Sequence, residues 1–458
     1  MTQDNPSTTP AQGAITAQDI DRFQRAFDSD PRYRQAMNAV SQNPVSKVAR
    51  NRRAHVAVDN CYSEHLAENK ATAQGGSGRC WMFAALNTFR VPAIKAMNLG
   101  DDFELSSNYT LFWDKLEKAN YFLEAVFETL DEPIGSRLLD WILSSPVQDG
   151  GQWHMFVNLI RKYGVVPKSI MPETESSSST GQLSHNVTAK LREYTCRIRN
   201  AHRAGASEDE LRATKPDMLA EVHRMLCIHL GEPPTEFLWQ WRDKDKGFHR
   251  DGVMTPREFW TKYIGPDIDL DDLVCLIHCR QAAKTFNTLY TIRFLGNVVG
   301  GEIVKYVNVK LDVMKCAAVA QIKDGESVWF GCDVGKDFDR DLGRMDTDLF
   351  EYDLVYGTDL ALSKADRLDY GESRMNHAMV FTGVDLDDDG KPRKWRVENS
   401  WGDKVGDNGF LQMTDPWFDE YNYEVVVRRK HLAPEVLAIL KTEPVVLEPW
   451  DPMGSLAL

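Results

Sequence analysis

The sequence predicts an α+β chain with a helical N-terminal half, a β-rich C-terminal half and a helical insertion between them. Three observations carry this reading. Apolar residues recur at helical spacing after Cys80 (Trp81, Ala84, Ala85, Phe89) and again through Glu104–Leu130 (Leu111, Leu116, Phe122). Short runs of buried-strand character come late, at Val304–Val309, Ser327–Val334, Ala378–Val384 and Trp395–Val397. Between the halves, Val187–His229 is charged and helical in pattern, with Leu211, Leu219, Val222 and Met225 among its apolar positions.

Taken in order, residues 1–70 read as an N-terminal arm, of which Ala17–Val48 is helical and Met1–Gly13 is polar and flexible. Residues 71–175 form the helical half, where Pro92 is expected to interrupt the helix after Cys80. The Ser-rich stretch Thr174–Gly181 reads as a linker or exposed loop into the insertion, residues 176–290, which is either a solvated appendage or an assembly surface. Residues 291–430 form the β-rich half, with a helix over Leu311–Ile322 between its first strands. Residues 431–458 form a tail, Pro-rich and then small and apolar, which composition alone would leave disordered.

Composition narrows the function. The net charge of −14 argues against nucleic acid as a partner, because phosphate binding needs clustered Lys and Arg. The start has no basic segment followed by an apolar one, so no secretory signal is expected, and no apolar run is long enough to span a bilayer. Eight cysteines in 458 residues are too sparse for a disulfide scaffold. The expectation is a soluble cytoplasmic protein with reduced thiols.

One cysteine stands out. Cys80 follows the turn Gln74-Gly75-Gly76-Ser77-Gly78-Arg79 and opens an amphipathic helical run. Unpaired N–H groups and the dipole at a helix N-terminus favour a thiolate, the nucleophilic form. Gln74 is placed to turn its amide back over the bend and donate to a developing oxyanion, with the Cys80 N–H as second donor. A cysteine nucleophile needs a base, and the base needs an orienter. Ala378–Val384 and Trp395–Val397 flank the turn Asp387-Asp388-Asp389-Gly390-Lys391-Pro392, which reads as a β-hairpin. Its midpoint sets His377 opposite Asn399, so the Asn carbonyl can accept one imidazole N–H and leave the other nitrogen for Cys80. Trp401 serves either as a cover over that bond or as core. Cys61, Cys196, Cys227, Cys275, Cys279, Cys316 and Cys332 read as buried and inert. The cluster Cys275, His278 and Cys279 lacks a second ligand pair, so no metal is expected.

Ser-Gly-Arg-Cys-Trp, Asn-His-Ala-Met and Glu-Asn-Ser-Trp-Gly together resemble the papain superfamily, and specifically the bleomycin hydrolase and aminopeptidase C family. Phe112-Trp113-Asp114-Lys115-Leu116, Asp149-Gly150-Gly151-Gln152-Trp153 and Val328-Trp329-Phe330-Gly331-Cys332-Asp333-Val334-Gly335-Lys336 extend the resemblance over most of the chain. It implies a papain-like fold, Cys80 as nucleophile, His377 as general base and acid, Asn399 as orienter and Gln74 as oxyanion donor. Gly150 and Gly151 match a pair that lets a substrate backbone lie close; read without the family, they fit a plain turn equally well. The tail resembles one that enters the cleft and presents its terminal carboxylate to the substrate's α-amino group. That implies an aminopeptidase of peptides with Leu458 at the substrate; the resemblance also implies a homohexamer, and the reaction needs no cofactor. Two departures matter. Ser77 stands where the secreted enzymes carry a disulfide-forming Cys, and the Cys80-to-His377 separation is 297 residues against about 130–150 in those enzymes. The rival readings are an endopeptidase or acyltransferase on the same scaffold, and a non-catalytic peptide- or nucleic-acid-binding protein.

Overall fold

The computed structural model describes residues 12–57, 59–67 and 69–457; most of the polar segment Met1–Gly13 and the terminal Leu458 lie outside the described residues. The described residues divide into two units.

The smaller unit joins the chain up to Asp59 with Thr347–Leu362. It holds the helices Ala17–Asp28, Pro31–Val40, Val45–Val48, Arg52–Val56 and Tyr352–Tyr356. The first opens on a capping box between Thr16 and Asp19, the second on Asp30 with Pro31 at its first position. Backbone bonds from Asn51 N to Leu349 O (2.8 Å) and from Glu351 N to Ala49 O (2.7 Å) join its two stretches. The expectation had placed 347–362 with the β-rich half. Residue periodicity reports local structure and carries no signal for a partner so far away in the chain.

In the larger unit, twelve strands of the described residues form one sheet. Its centre runs in the order Leu273–Ile277, Asn422–Arg428, Val328–Cys332, His377–Leu386, Pro392–Glu398 and Phe410–Thr414. Alternation along a strand separates two cores. Ala378 and Val380 join the core that includes Cys80, Trp81 and Phe156, while Met379 and Phe381 join the one under the helices Leu311–Lys323 and Asp415–Tyr421. Phe330 and Phe381 stack at 3.8 Å in the second core.

The helix Cys80–Met97 packs on the His377–Leu386 strand. It runs through Pro92 without a break. Proline forfeits one helical hydrogen bond, but Ala93 and Met97 beyond it are buried, and packing on both sides of the proline holds the helix. Pro92 therefore does not end the helix as its sequence suggests.

The expected insertion at 176–290 is helical only in part. Gly181–Arg203, Glu208–Ala213 and Lys215–Leu230 are helices, but Phe237–Arg242 and Phe248–Met254 form a hairpin. Leu273–Ile277 and Thr288–Ile292 belong to the main sheet. These short apolar runs are equally compatible with buried helix or strand until a partner strand is known. The arm likewise ends before residue 70, since Glu64 and His65 pair with Val384 and Gly383. The Ser-rich stretch is not an exposed linker. Its hydroxyls are used locally in a capping box between Thr174 and Ser177, and Ser177 is buried.

Candidate active site

Cys80 is the first residue of its helix, after the N-cap Arg79, whose side chain makes no capping bond. The first-turn N–H groups are therefore open. Cys80 lines a cleft of about 300 Å³ with Gln74, Gly78, Gln148, Asp149, Gly150, Asn376, His377 and Leu456. Burial pushes its thiol up to about 11, while N–H groups of Ala378, Trp81 and Cys80 itself pull the other way. The backbone N–H groups thus act in the direction expected of a helix N-terminus, against the desolvation of the buried sulfur.

His377 begins its strand, opposite Cys332 in register. Its Nε2 is 2.9 Å from Asn399 Oδ1, which also accepts the Ser400 N–H at 2.8 Å. An amide oxygen can only accept, so Nε2 carries the proton and Nδ1 is the free nitrogen. Burial pushes His377 down to about 4, against the Asn399 bond. Each charge is disfavoured singly; one proton passed from Cys80 to His377 creates both at once, where they offset each other.

The hairpin brings His377 and Asn399 together, though not across a rung. The ladder pairs Val380 with Glu398 and has a register shift between Phe381 and Gly383. Continued outward, that register sets Trp401 against His377. The His–Asn bond is therefore diagonal, and the Trp401 ring lies 4.9 Å from the imidazole. A second shift between Asp385 and Leu386 cancels the first, so the ladder turns about Asp389 rather than Asp388, and midpoint counting on Asp388 misses by two residues.

Gln74 is fixed in one orientation. Its Nε2 donates to Ser77 O at 2.5 Å, its Oε1 accepts from Ser400 Oγ at 2.7 Å, and its N–H donates to Ser400 O. The second Nε2 hydrogen is left for the cleft.

Gly150 and Gly151 serve two different close approaches. A Cβ on Gly150 would lie 2.3 Å from Leu456 O, and one on Gly151 would lie 2.5 Å from the Trp81 indole. The tail is ordered rather than loose. Residues Pro452–Ala457 form a 3-10 turn whose Met453 to Ala457 are buried. Gln148 Nε2 donates to Ala457 O at 2.6 Å, and Ser455 Oγ to Met375 O at 2.8 Å. Lys284 Nζ meets Asp451 at 2.7 Å. Leu458, expected at the substrate, lies outside the described residues.

Sequence reading missed several residues that shape the cleft. Lys118 Nζ donates to Gln148 O and Gly150 O, and Lys115 Nζ to Val147 O and Asp149, so two buried lysines hold the glycine loop. Burial would raise the Asp149 carboxyl, but Lys115, the Thr180 hydroxyl and the Gly78 N–H together hold it well below the usual range. Ser400 links Asn399 to Gln74. The available signal was adjacency, since each of these residues lies within or beside a quoted motif.

The chain matches the model of the peptidase C1-like family over residues 14–454. It is 44% identical over 447 residues to aminopeptidase C of Listeria monocytogenes, covering 98% of this chain and all of that protein. It is 43% identical over 438 residues to human bleomycin hydrolase, covering 94% of this chain and 96% of the relative. Among solved structures it is similar to PepW from Lactobacillus rhamnosis HN001, with 46% identity, a TM-score of 0.94, and coverage of 97% of this chain and 99% of that one.

Proposed function

Since the chain belongs to the peptidase C1-like family, we infer that it is a cysteine aminopeptidase that cleaves peptides through a thioester acyl-enzyme. Relatives named aminopeptidase C and bleomycin hydrolase support the activity. The observation that carries the exopeptidase part is the seating of the tail: Leu456 lines the Cys80 cleft, and the backbone of Leu456 and Ala457 abuts Gly150. A peptide can then extend from the site in one direction only.

Cys80 Sγ attacks the scissile carbonyl carbon as its proton passes to His377 Nδ1. The oxyanion is met by the Cys80 N–H and the free Gln74 amide hydrogen. The C–N bond breaks and His377 gives its proton to the leaving amine, leaving a thioester on Cys80. Water then loses a proton to His377 and attacks the acyl carbon; the released thiolate takes that proton back. Asn399 holds the ring in the required tautomer throughout, and Trp401 shields their bond from water.

The decisive experiment compares peptides with free and with N-acetylated termini, on the full chain and on a chain ending before Ser455. The full chain is expected to cleave only the free peptides, the shortened chain both, and Cys80→Ala neither. Equal cleavage of blocked peptides by the full chain would overturn the aminopeptidase reading in favour of an endopeptidase.

Assembly into a homohexamer is supported by apolar residues left exposed in the smaller unit, Ile20, Phe23 and Met37 among them, and is tested by light scattering. A cytoplasmic location is supported by Ser77 in place of a disulfide cysteine, and is tested by fractionation. Among the described residues, no helix is long and apolar enough to cross a membrane.

A further inference from the structure

In the signature of the secreted papain-like enzymes, Cys and then Ser or Ala occupy the places of Ser77 and Arg79. In this chain the two departures touch each other. Arg79 Nε donates to Ser77 Oγ at 2.9 Å. Ser77 Oγ in turn donates to Gln74 O at 2.6 Å, and one Arg79 terminal nitrogen reaches the same carbonyl at 3.3 Å. The guanidinium is fully buried, and its other face meets Ser107 Oγ at 3.1 Å and the Glu173 carboxylate at 3.2 and 2.8 Å. Glu173 is itself held by Ser177 Oγ at 2.6 Å, and the neighbouring Ser178 O takes the Gly76 N–H at 2.7 Å. The turn is also gripped from the glycine loop, where Asp149 Oδ2 accepts the Gly78 N–H at 2.9 Å.

We propose that the ion pair between buried Arg79 and partly buried Glu173 is a positioning device for the oxyanion pocket. It holds the turn Gln74–Gly78, and with it the Gln74 amide, in the way a disulfide does when cysteine stands at position 77. The proposal rests on the reading of Gln74 as an oxyanion donor. A guanidinium suits the task because its planar fork meets Ser77, Gln74, Ser107 and Glu173 at once; an ammonium has too few donors in the wrong geometry. The alternative is an ion pair that serves only folding, and it makes a different prediction. A folding role lowers Tm and leaves the folded enzyme's kcat alone. A positioning role lowers kcat and transition-state affinity together while leaving KM in place, because the donor matters only once the oxyanion forms.

The test uses Glu173→Gln, Arg79→Lys and Ser77→Ala in the full chain, with Tm, kcat, KM, the iodoacetamide alkylation rate of Cys80, and inhibition by a peptide aldehyde with a free amino terminus. In the folded variants kcat is expected to fall about tenfold or more, and aldehyde affinity by a similar factor. KM and alkylation should stay within about twofold of the parent chain. Should the two charge variants fail to fold, Ser77→Ala decides, since it removes only a hydroxyl. Folded variants with unchanged kcat and aldehyde affinity overturn the proposal. A parent chain that alkylates at Cys80 but hydrolyses no peptide overturns the peptidase reading instead, so the two failures are distinct.

Discussion

Ser400 Oγ donates to Gln74 Oε1 at 2.7 Å, while the Ser400 N–H donates to Asn399 Oδ1 at 2.8 Å. One residue thus ties the group that orients His377 to the group proposed to meet the oxyanion. Ser400→Ala removes the first bond and leaves the second. The Gln74 amide then keeps only its bond to Ser77 O and is held less firmly, and kcat is expected to fall about tenfold with KM little changed. The stability loss should be only about 1 kcal/mol, as for one buried hydrogen bond. Steady-state kinetics beside thermal denaturation separate the two effects; a large Tm drop with normal kcat would contradict the assignment.

Gly150 and Gly151 should fail differently when a methyl is added. At Gly151 the new Cβ runs into the fully buried Trp81, so Gly151→Ala is expected to destabilise the chain by about 1–3 kcal/mol. At Gly150 it meets the backbone of Leu456 and Ala457, so the tail rather than the core must shift. Gly150→Ala should therefore keep most of its stability, lose at least about tenfold in activity on free peptides, and expose residues 452–457 to proteolysis. A Gly150→Ala chain with full activity and a protected tail would contradict the close-approach role.

Histidines buried in neutral form contribute to the acid limb of stability. Burial pushes His154 and His377 down to about 4, and His278 to about 3. The unfolded value is about 6.5, so each depressed group contributes stability that is present above that pH and lost as pH falls through its folded value. Tm is expected to drop steadily from about pH 6.5 towards pH 4. His278 Nδ1 faces Val309 O at 2.8 Å, a bond that an Asn amide can imitate. His278→Asn should flatten part of the slope; an unchanged slope from denaturation across that range would count against His278.

What the sequence made legible follows from what is local. Cys80, His377 and Asn399 sit in motifs whose residue types state their chemistry, and the hairpin that joins the last two is a local structure. The helices over Ala17–Val48, Glu104–Leu130 and Val187–His229 showed themselves by period. What stayed hidden depends on partners distant in the chain. Arg79 could not be matched to Glu173, nor Lys118 to Gly150 O, because charge and hydrogen-bond pairing leave no periodic trace. Pro92 misled for a related reason: a local rule was overridden by burial on both sides. The strands at Leu273–Ile277 and Thr288–Ile292 needed neighbours before their short apolar runs could be told from helix.

Glu424 offers a test on the alkaline side. It lies in the strand Asn422–Arg428 and is wholly buried beside the Cys275 thiol, and among the described residues neither carboxyl oxygen finds a hydrogen-bond partner of good geometry. Burial pushes its carboxyl up to about 8 despite the Cys275 contact. The folded state therefore binds a proton that the unfolded chain, with a value near 4.3, has already released at neutral pH. The sign follows directly: the contribution is fully present below about pH 4.3 and is lost as pH rises through the folded value near 8. Glu424→Gln keeps the shape and cannot ionise. Its stability advantage over the parent chain should grow between about pH 5 and pH 8, towards an upper limit on the order of 5 kcal/mol, and then level off. Denaturant titrations of both chains at pH 5, 6.5, 8 and 9 would read the difference directly. A constant offset between the two chains would mean that Glu424 does not titrate in this range and that its burial is relieved by another group.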